Sequence, residues 1–137
     1  MAERQGIKNT SIVGDQKLYK YGEIYWVKFD EETVGTELKG DHPGLIISDN
    51  WYNEEGSRVI VLPCSTTLRP IYLFEVFIKN LANNGRDGKV MVDQIKSIDK
   101  DRILGKAVNR LNEEQLAKVN EILLKLLKLK FSIKAKL

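Results

Sequence analysis

One cysteine, one histidine and three prolines are all that 137 residues hold of the side chains that staple folds, bind soft metals or break strands. A lone thiol, Cys64, leaves no internal disulfide, and one Cys with one His cannot build a structural zinc site, so neither metal nor other cofactor is expected. No stretch approaches the roughly 18 consecutive apolar residues of a membrane-spanning helix. The opening MAERQGIKNTSIVGDQ also lacks the apolar run of a secretory signal. A cytoplasmic protein with no membrane partner is the expectation. Internal repeats and low-complexity linkers are missing too, and a hydrophobic content of 42% is enough for one modest core.

Acidic residues are absent from the end of the chain. Leu123 to Leu137 carries Lys125, Lys128, Lys130, Lys134 and Lys136 and no acid, so taking those five charges from the net +3 leaves residues 1–122 at −2. The body is therefore not the broadly basic surface of a nonspecific duplex binder, and any nucleic acid must meet a local groove. The lysine-rich end reads as a solvated helix face and frayed tail, or as a steering surface for RNA or a partner. Three segments are expected: a flexible extension over 1–17, a single domain over 18–130 and a basic tail over 131–137.

Residues 22–29, rich in aromatic and β-branched side chains, suit a half-buried strand. The polar, glycine-punctuated residues 30–41 make a connection long enough to suggest a functional loop. Pro43 then opens a short strand over 44–48, residues 49–57 read as a turn, and 58–63 is a buried strand ended by Pro63. Further strands are expected over 73–78, 89–92 and 103–110, with turn chemistry at 83–88. Asn112 with Gln115 spells a capping box. Leu116, Val119, Leu123, Leu126 and Leu127 follow at helical spacing, a stripe expected to be buried on the sheet. The pattern gives a strand-rich α+β domain: a small, strongly bent antiparallel sheet or open barrel closed by a C-terminal helix.

Several side chains admit two readings. Glu37 is a solvated loop carboxylate or a base, and the hydroxyls of Ser65 and Thr66 make local turn bonds or donate to a phosphate. His42 is structural or catalytic, and as the only imidazole available to activate Cys64, beside Ser65, it raises a Cys-His hydrolase reading, against a small buried hydrophobe. Trp51 and Tyr52 pack within the protein or stack on bases.

Three ordered motifs then resemble the MazF/PemK (Kid) family of toxins from type II toxin-antitoxin systems. They are Gly35-Thr36-Glu37-Leu38-Lys39-Gly40-Asp41-His42-Pro43, Val61-Leu62-Pro63-Cys64-Ser65-Thr66-Thr67 and Asp93-Gln94-Ile95-Lys96-Ser97-Ile98. The resemblance covers Tyr21 to about Leu129. It implies a MazF/CcdB-type fold and an endoribonuclease, an mRNA interferase. In such an enzyme the 2'-hydroxyl of single-stranded RNA attacks the adjacent phosphate without metal, leaving a 2',3'-cyclic phosphate and a 5'-hydroxyl. It further implies a homodimer whose joined sheets form the RNA groove, and a cognate antitoxin whose acidic tail fills it.

Carried onto this chain, the resemblance makes His42, Ser65, Thr66 and Glu37 the catalytic candidates. Thr36, Lys39, Arg69, Asp93, Gln94, Lys96 and Ser97 are the RNA-binding candidates, Gln94 for base edges and Lys96 for phosphate. His42 departs from the family, which has arginine there. Imidazole offers at most two donors where a guanidinium offers a fixed fork of always-charged ones. Two outcomes follow: a retuned nuclease in which His42 is acid or base, or a chain that has lost most activity. Arg69, Arg86 and Lys39 are the available replacements for the charge. The competing class is a noncatalytic module on the same scaffold, either a silent relative binding RNA or antitoxin or a gyrase poison like CcdB.

Overall fold

The computed structural model describes residues 18–130. The extension expected over 1–17 and the tail expected over 131–137 lie outside the described residues. β1 (Glu23–Phe29) sits within the sheet, with β2 (Gly40–Ile46) antiparallel on one edge and β7 (Ile103–Arg110) antiparallel on the other. β3 (Arg58–Ser65) extends the sheet beyond β2. Its other edge takes β6 (Lys96–Asp99) along Arg58 to Val61 and then β5 (Gly88–Met91) at Cys64 and Ser65, with β4 (Glu75–Ile78) outside β5. The seven strands form an open antiparallel sheet in the order β4-β5-β3-β2-β1-β7, with β6 branching from β3. With its C-terminal helix this is the α+β architecture expected.

Strand alternation divides the core in two. Ile24, Leu45, Leu62 and Cys64 face a cluster completed by Val119 of α2 (Glu113–Leu126), while Tyr25, Val27, Phe29, Ile46, Val59 and Val61 fill the other side. β3 supplies both clusters, which is why its sequence is a nearly continuous apolar run. The capping box at Asn112 forms as its sequence predicts: Gln115 N donates to Asn112 Oδ1 over 2.8 Å and Asn112 N to Gln115 Oε1 over 2.9 Å. No helix among the described residues is long and apolar enough to cross a membrane.

Four expectations need correction, and one strand had no expectation. Pro43 does not open its strand but lies within β2, opposite Trp26, just before the ladder to β3 begins at Gly44. Pro63 does not end β3: it falls between Val61, the last partner of β6, and Cys64, the first partner of β5, where that edge needs no ladder donor. Residues 49–57 are not a turn alone. Asp49 accepts a hydrogen bond from Trp51 N and caps α1 (Asn50–Glu55), a helix too short to show periodicity. Strand β6 has no counterpart in the sequence reading, since four residues with one buried side chain give no pattern. Lastly, the helical stripe is buried only in part: Leu126 and Leu127 stay exposed, and Leu127 lines an open groove with Ile47, Ile60 and Ile95.

Candidate active site

Sheet register decides which side chains can meet. The ladder between β2 and β3 ends at Gly44 with Pro63, two residues short of His42 on the one strand and of Ser65 on the other. Ser65 pairs with Lys89, and Lys89 with Phe77. One row across β3, β5 and β4 thus joins a hydroxyl and an ammonium. In the neighbouring row Glu75 stands opposite Met91, and Lys89 Nζ reaches it over 2.9 Å as a buried ion pair.

Where β3 ends, His42 and Thr66 line a cleft of about 210 Å³ with Trp26, Asp41, Asn84 and Arg86. The two adjacent hydroxyls are used differently. Ser65 is buried and its Oγ accepts Thr67 N over 3.0 Å, a local turn bond. Thr66 is half-buried, and its Oγ1 accepts from Arg86 Nη2 over 3.3 Å. Cys64 is fully buried, with Sγ 3.5 Å from the Leu62 carbonyl, and burial pushes its thiol up out of the reactive range. That removes the Cys-His hydrolase reading, because the thiol is neither ionised nor reachable.

The motif over 93–98 builds a second region. Glu37, Asp93, Gln94 and Lys96 line a cleft of about 290 Å³ floored by Phe29 and Pro63. An adjoining cleft of about 240 Å³ shares Phe29 and Lys96 and adds Ser97, Arg58 and Arg102. Glu37 Oε1 accepts Val34 N over 3.2 Å, which ties the carboxylate to its own loop. Leu38 N donates to Gln94 Oε1 over 3.0 Å, which ties that loop to the motif. Thr36 and Lys39 are exposed on the same loop, and Arg69 is exposed beyond β3, lining none of these clefts. Burial raises the Asp93 carboxyl above its ordinary value of 3.8, against a lowering backbone hydrogen bond, with Glu75 adding to the rise and Lys89 opposing it. Trp51 and Tyr52 meet edge to face, centroids 6.0 Å apart, on α1.

His42 and Thr66 are thus brought together, and Glu37 is brought to Asp93, Gln94 and Lys96, but in clefts with no lining residue in common. Lys89 and Glu75 have no place in the sequence reading. Their signal was present: a lysine amid Gly88, Val90 and Met91 in a short strand has to bury its charge, and a buried charge needs a partner.

Comparison with known proteins gives a consistent family. Residues 20–127 match the family described as PemK-like, MazF-like toxin of type II toxin-antitoxin system. Over 77 residues the chain is 38% identical to the endoribonuclease toxin MazF of Escherichia coli K12, a match covering 56% of this chain and 65% of that protein, short of two thirds of its length. Over 109 residues it is 28% identical to endoribonuclease EndoA of Bacillus subtilis 168, covering 77% of this chain and 91% of the relative. The crystal structure of MazF (Form-I) from Deinococcus radiodurans superposes with a TM-score of 0.71 at 26% identity, over 82% of this chain and 99% of that one.

Proposed function

The chain belongs to the PemK-like, MazF-like toxin family, and from that premise we propose that it is a toxin-type endoribonuclease cutting single-stranded RNA without a metal. In this reading the ribose 2'-oxygen attacks the adjacent phosphorus and the bond from phosphorus to the 5'-oxygen breaks. The 2'-hydroxyl proton passes to a base, the leaving oxygen takes a proton from an acid, and a 2',3'-cyclic phosphate and a 5'-hydroxyl remain. The observation that carries it is the shared cleft of His42 and Thr66, an imidazole able to move a proton beside a hydroxyl able to donate to a phosphate oxygen. Ser65, next in the chain, holds the turn that presents Thr66. Glu37, Asp93, Gln94, Lys96 and Ser97, with Thr36 and Lys39 on the loop, take the strand on either side of the cut, and Arg69 meets it beyond β3.

The same reading makes the protein a cytoplasmic homodimer restrained by a cognate antitoxin that occupies the RNA groove. An exposed apolar groove of about 440 Å³, between the end of α2 and Ile47, Ile60 and Ile95, supports a second copy there.

The test is incubation of the pure protein with a long single-stranded RNA in EDTA, from about pH 5.5 to about pH 8.5 to span histidine titration, followed by mapping of the ends. Discrete cuts bearing cyclic phosphates are expected. Binding without cleavage at every pH would overturn the enzyme in favour of a noncatalytic RNA-binding module. His42→Ala should abolish cleavage and His42→Arg preserve it, and an unaffected alanine variant would place the chemistry elsewhere.

A further inference from the structure

The His42 cleft poses an electrostatic problem for a phosphate. Asp41 brings a carboxylate to its wall, and His42 brings at most two donors. A phosphodiester entering such a cleft needs a fixed cation to offset the carboxylate. Of the three candidates for that charge, Arg69 and Lys39 line none of the clefts described, and Arg86 lines this one.

We propose that Arg86, through its contact with Thr66, is the phosphate-holding guanidinium of the cleft. This rests on the ribonuclease reading and adds to it a residue that lies outside all three motifs. The hydrogen bond between them has a direction with a consequence. Arg86 Nη2 donates to Thr66 Oγ1 over 3.3 Å, so the hydroxyl oxygen is engaged as an acceptor and its single proton is left to donate onward. The guanidinium keeps further N–H groups, and the pair presents donors to a single anionic oxygen from two adjacent side chains.

The turn that carries Arg86 is fixed independently of its side chain. Leu81 N donates to the Arg86 carbonyl over 3.1 Å and Arg86 N to Asn84 Oδ1 over 3.2 Å. Asn80 closes the loop from its start, accepting Gly85 N on its side chain, while Asp87 Oδ1 accepts Asn80 N over 2.8 Å. The guanidinium is exposed and its attachment point is held, so little backbone ordering is needed when a phosphate arrives.

The test uses the full chain and two probes: a single-stranded RNA for cleavage, and its 2'-O-methyl counterpart, which cannot be cut, for binding. Arg86→Gln keeps a donor for Thr66 but removes the charge. It should lower the single-turnover rate at saturating RNA by about 100-fold, the scale of losing one transition-state donor. It should also reduce the slope of log affinity against log salt on the 2'-O-methyl strand by about 0.7, the loss of one phosphate contact. Because the turn is held by other groups, the thermal midpoint should not move. An unchanged salt slope overturns the proposal, as does a rate within about twofold of the parent. Should the parent protein cut no RNA, the ribonuclease reading fails, and the salt slope on the 2'-O-methyl strand still decides whether Arg86 holds a phosphate.

Discussion

The amide of Leu38 donates to the side-chain carbonyl of Gln94 over 3.0 Å and so fastens the long loop between β1 and β2 to the turn before β6, 56 residues away in sequence. The same glutamine donates weakly from Nε2 to Met91 Sδ over 3.7 Å. A side chain offered for base readout therefore already holds the loop, and it keeps one acceptor position and one N–H for a base.

Gln94→Ala should release the loop. A part-buried neutral hydrogen bond contributes about 1 kcal/mol, so exchange of the Leu38 amide should quicken roughly fivefold. RNA binding should weaken while the overall fold stays intact. Hydrogen exchange read by mass spectrometry over residues 30–39 is the measurement, and unchanged protection there would mean that the loop is held by something else.

Asp93 carries a pH signature. Burial raises its carboxyl above the ordinary 3.8, with Glu75 adding to the rise and Lys89 opposing it, so the fold disfavours its charged form. A group raised on folding contributes stability that is fully present below its unfolded pKa and lost as pH rises through the folded one. Asp93→Asn should therefore raise the urea midpoint at neutral pH, and the gain should vanish below about pH 3.8. The side chain is exposed on the cleft wall, which keeps the effect small. A variant less stable than the parent at neutral pH would show that the carboxylate is held by favourable contacts instead.

Lys89 and Glu75 form a buried pair whose halves depend on each other. Lys89 Nζ also donates to the Pro70 carbonyl over 2.7 Å and lies 5.9 Å from the Tyr72 ring centroid, so it fastens the segment after β3 to β5. Lys89→Met strands the Glu75 carboxylate and should cost about 3–5 kcal/mol in chemical denaturation. Lys89→Met with Glu75→Leu should recover much of that loss, because two apolar side chains leave no buried charge. A double variant as unstable as the single one would locate the cost in the lost contacts to the Pro70 carbonyl and the Tyr72 amide.

What the sequence made legible followed from how local each signal is. The box at Asn112 and Gln115 and the apolar run of β3 are complete within a few residues and formed as expected. Pro43 and Pro63 misled because a proline's tolerance depends on which edge is unpaired, a property of neighbouring strands. At the site, the motifs named His42 and Thr66 but could not rank Arg86 above Arg69 or Lys39. That ranking came from the 80–87 turn folding back against the end of β3, a contact spanning 20 residues that no periodicity records. Lys89 was missed for a simpler reason: lysine is ordinarily a surface residue, and only its pairing with Glu75 makes burial tolerable.

Gly85 in the turn before β5 and Gly88 at the start of β5 should separate conformational strain from steric exclusion. Gly85 adopts φ +87 with open space where a side chain would go, so Gly85→Ala meets only the left-handed penalty, about 1–2 kcal/mol. Gly88 lies within β5, and a Cβ there would stand 2.6 Å from Leu81 Cδ2 and 2.8 Å from the Ser65 carbonyl oxygen. The leucine can rotate, but the carbonyl belongs to β3, where Ser65 pairs with Lys89. Gly88→Ala must therefore push β5 away from the end of β3, disturbing Ser65, Thr66 and the Lys89 pair together. Equilibrium unfolding should show a loss at the upper end of the about 1–3 kcal/mol typical of overpacking. RNA cleavage should fall in the Gly88 variant under conditions where it is fully folded, and remain near parental in the Gly85 variant. If both variants lose stability equally and both keep cleavage, close approach of β5 to β3 does not set the geometry of the cleft.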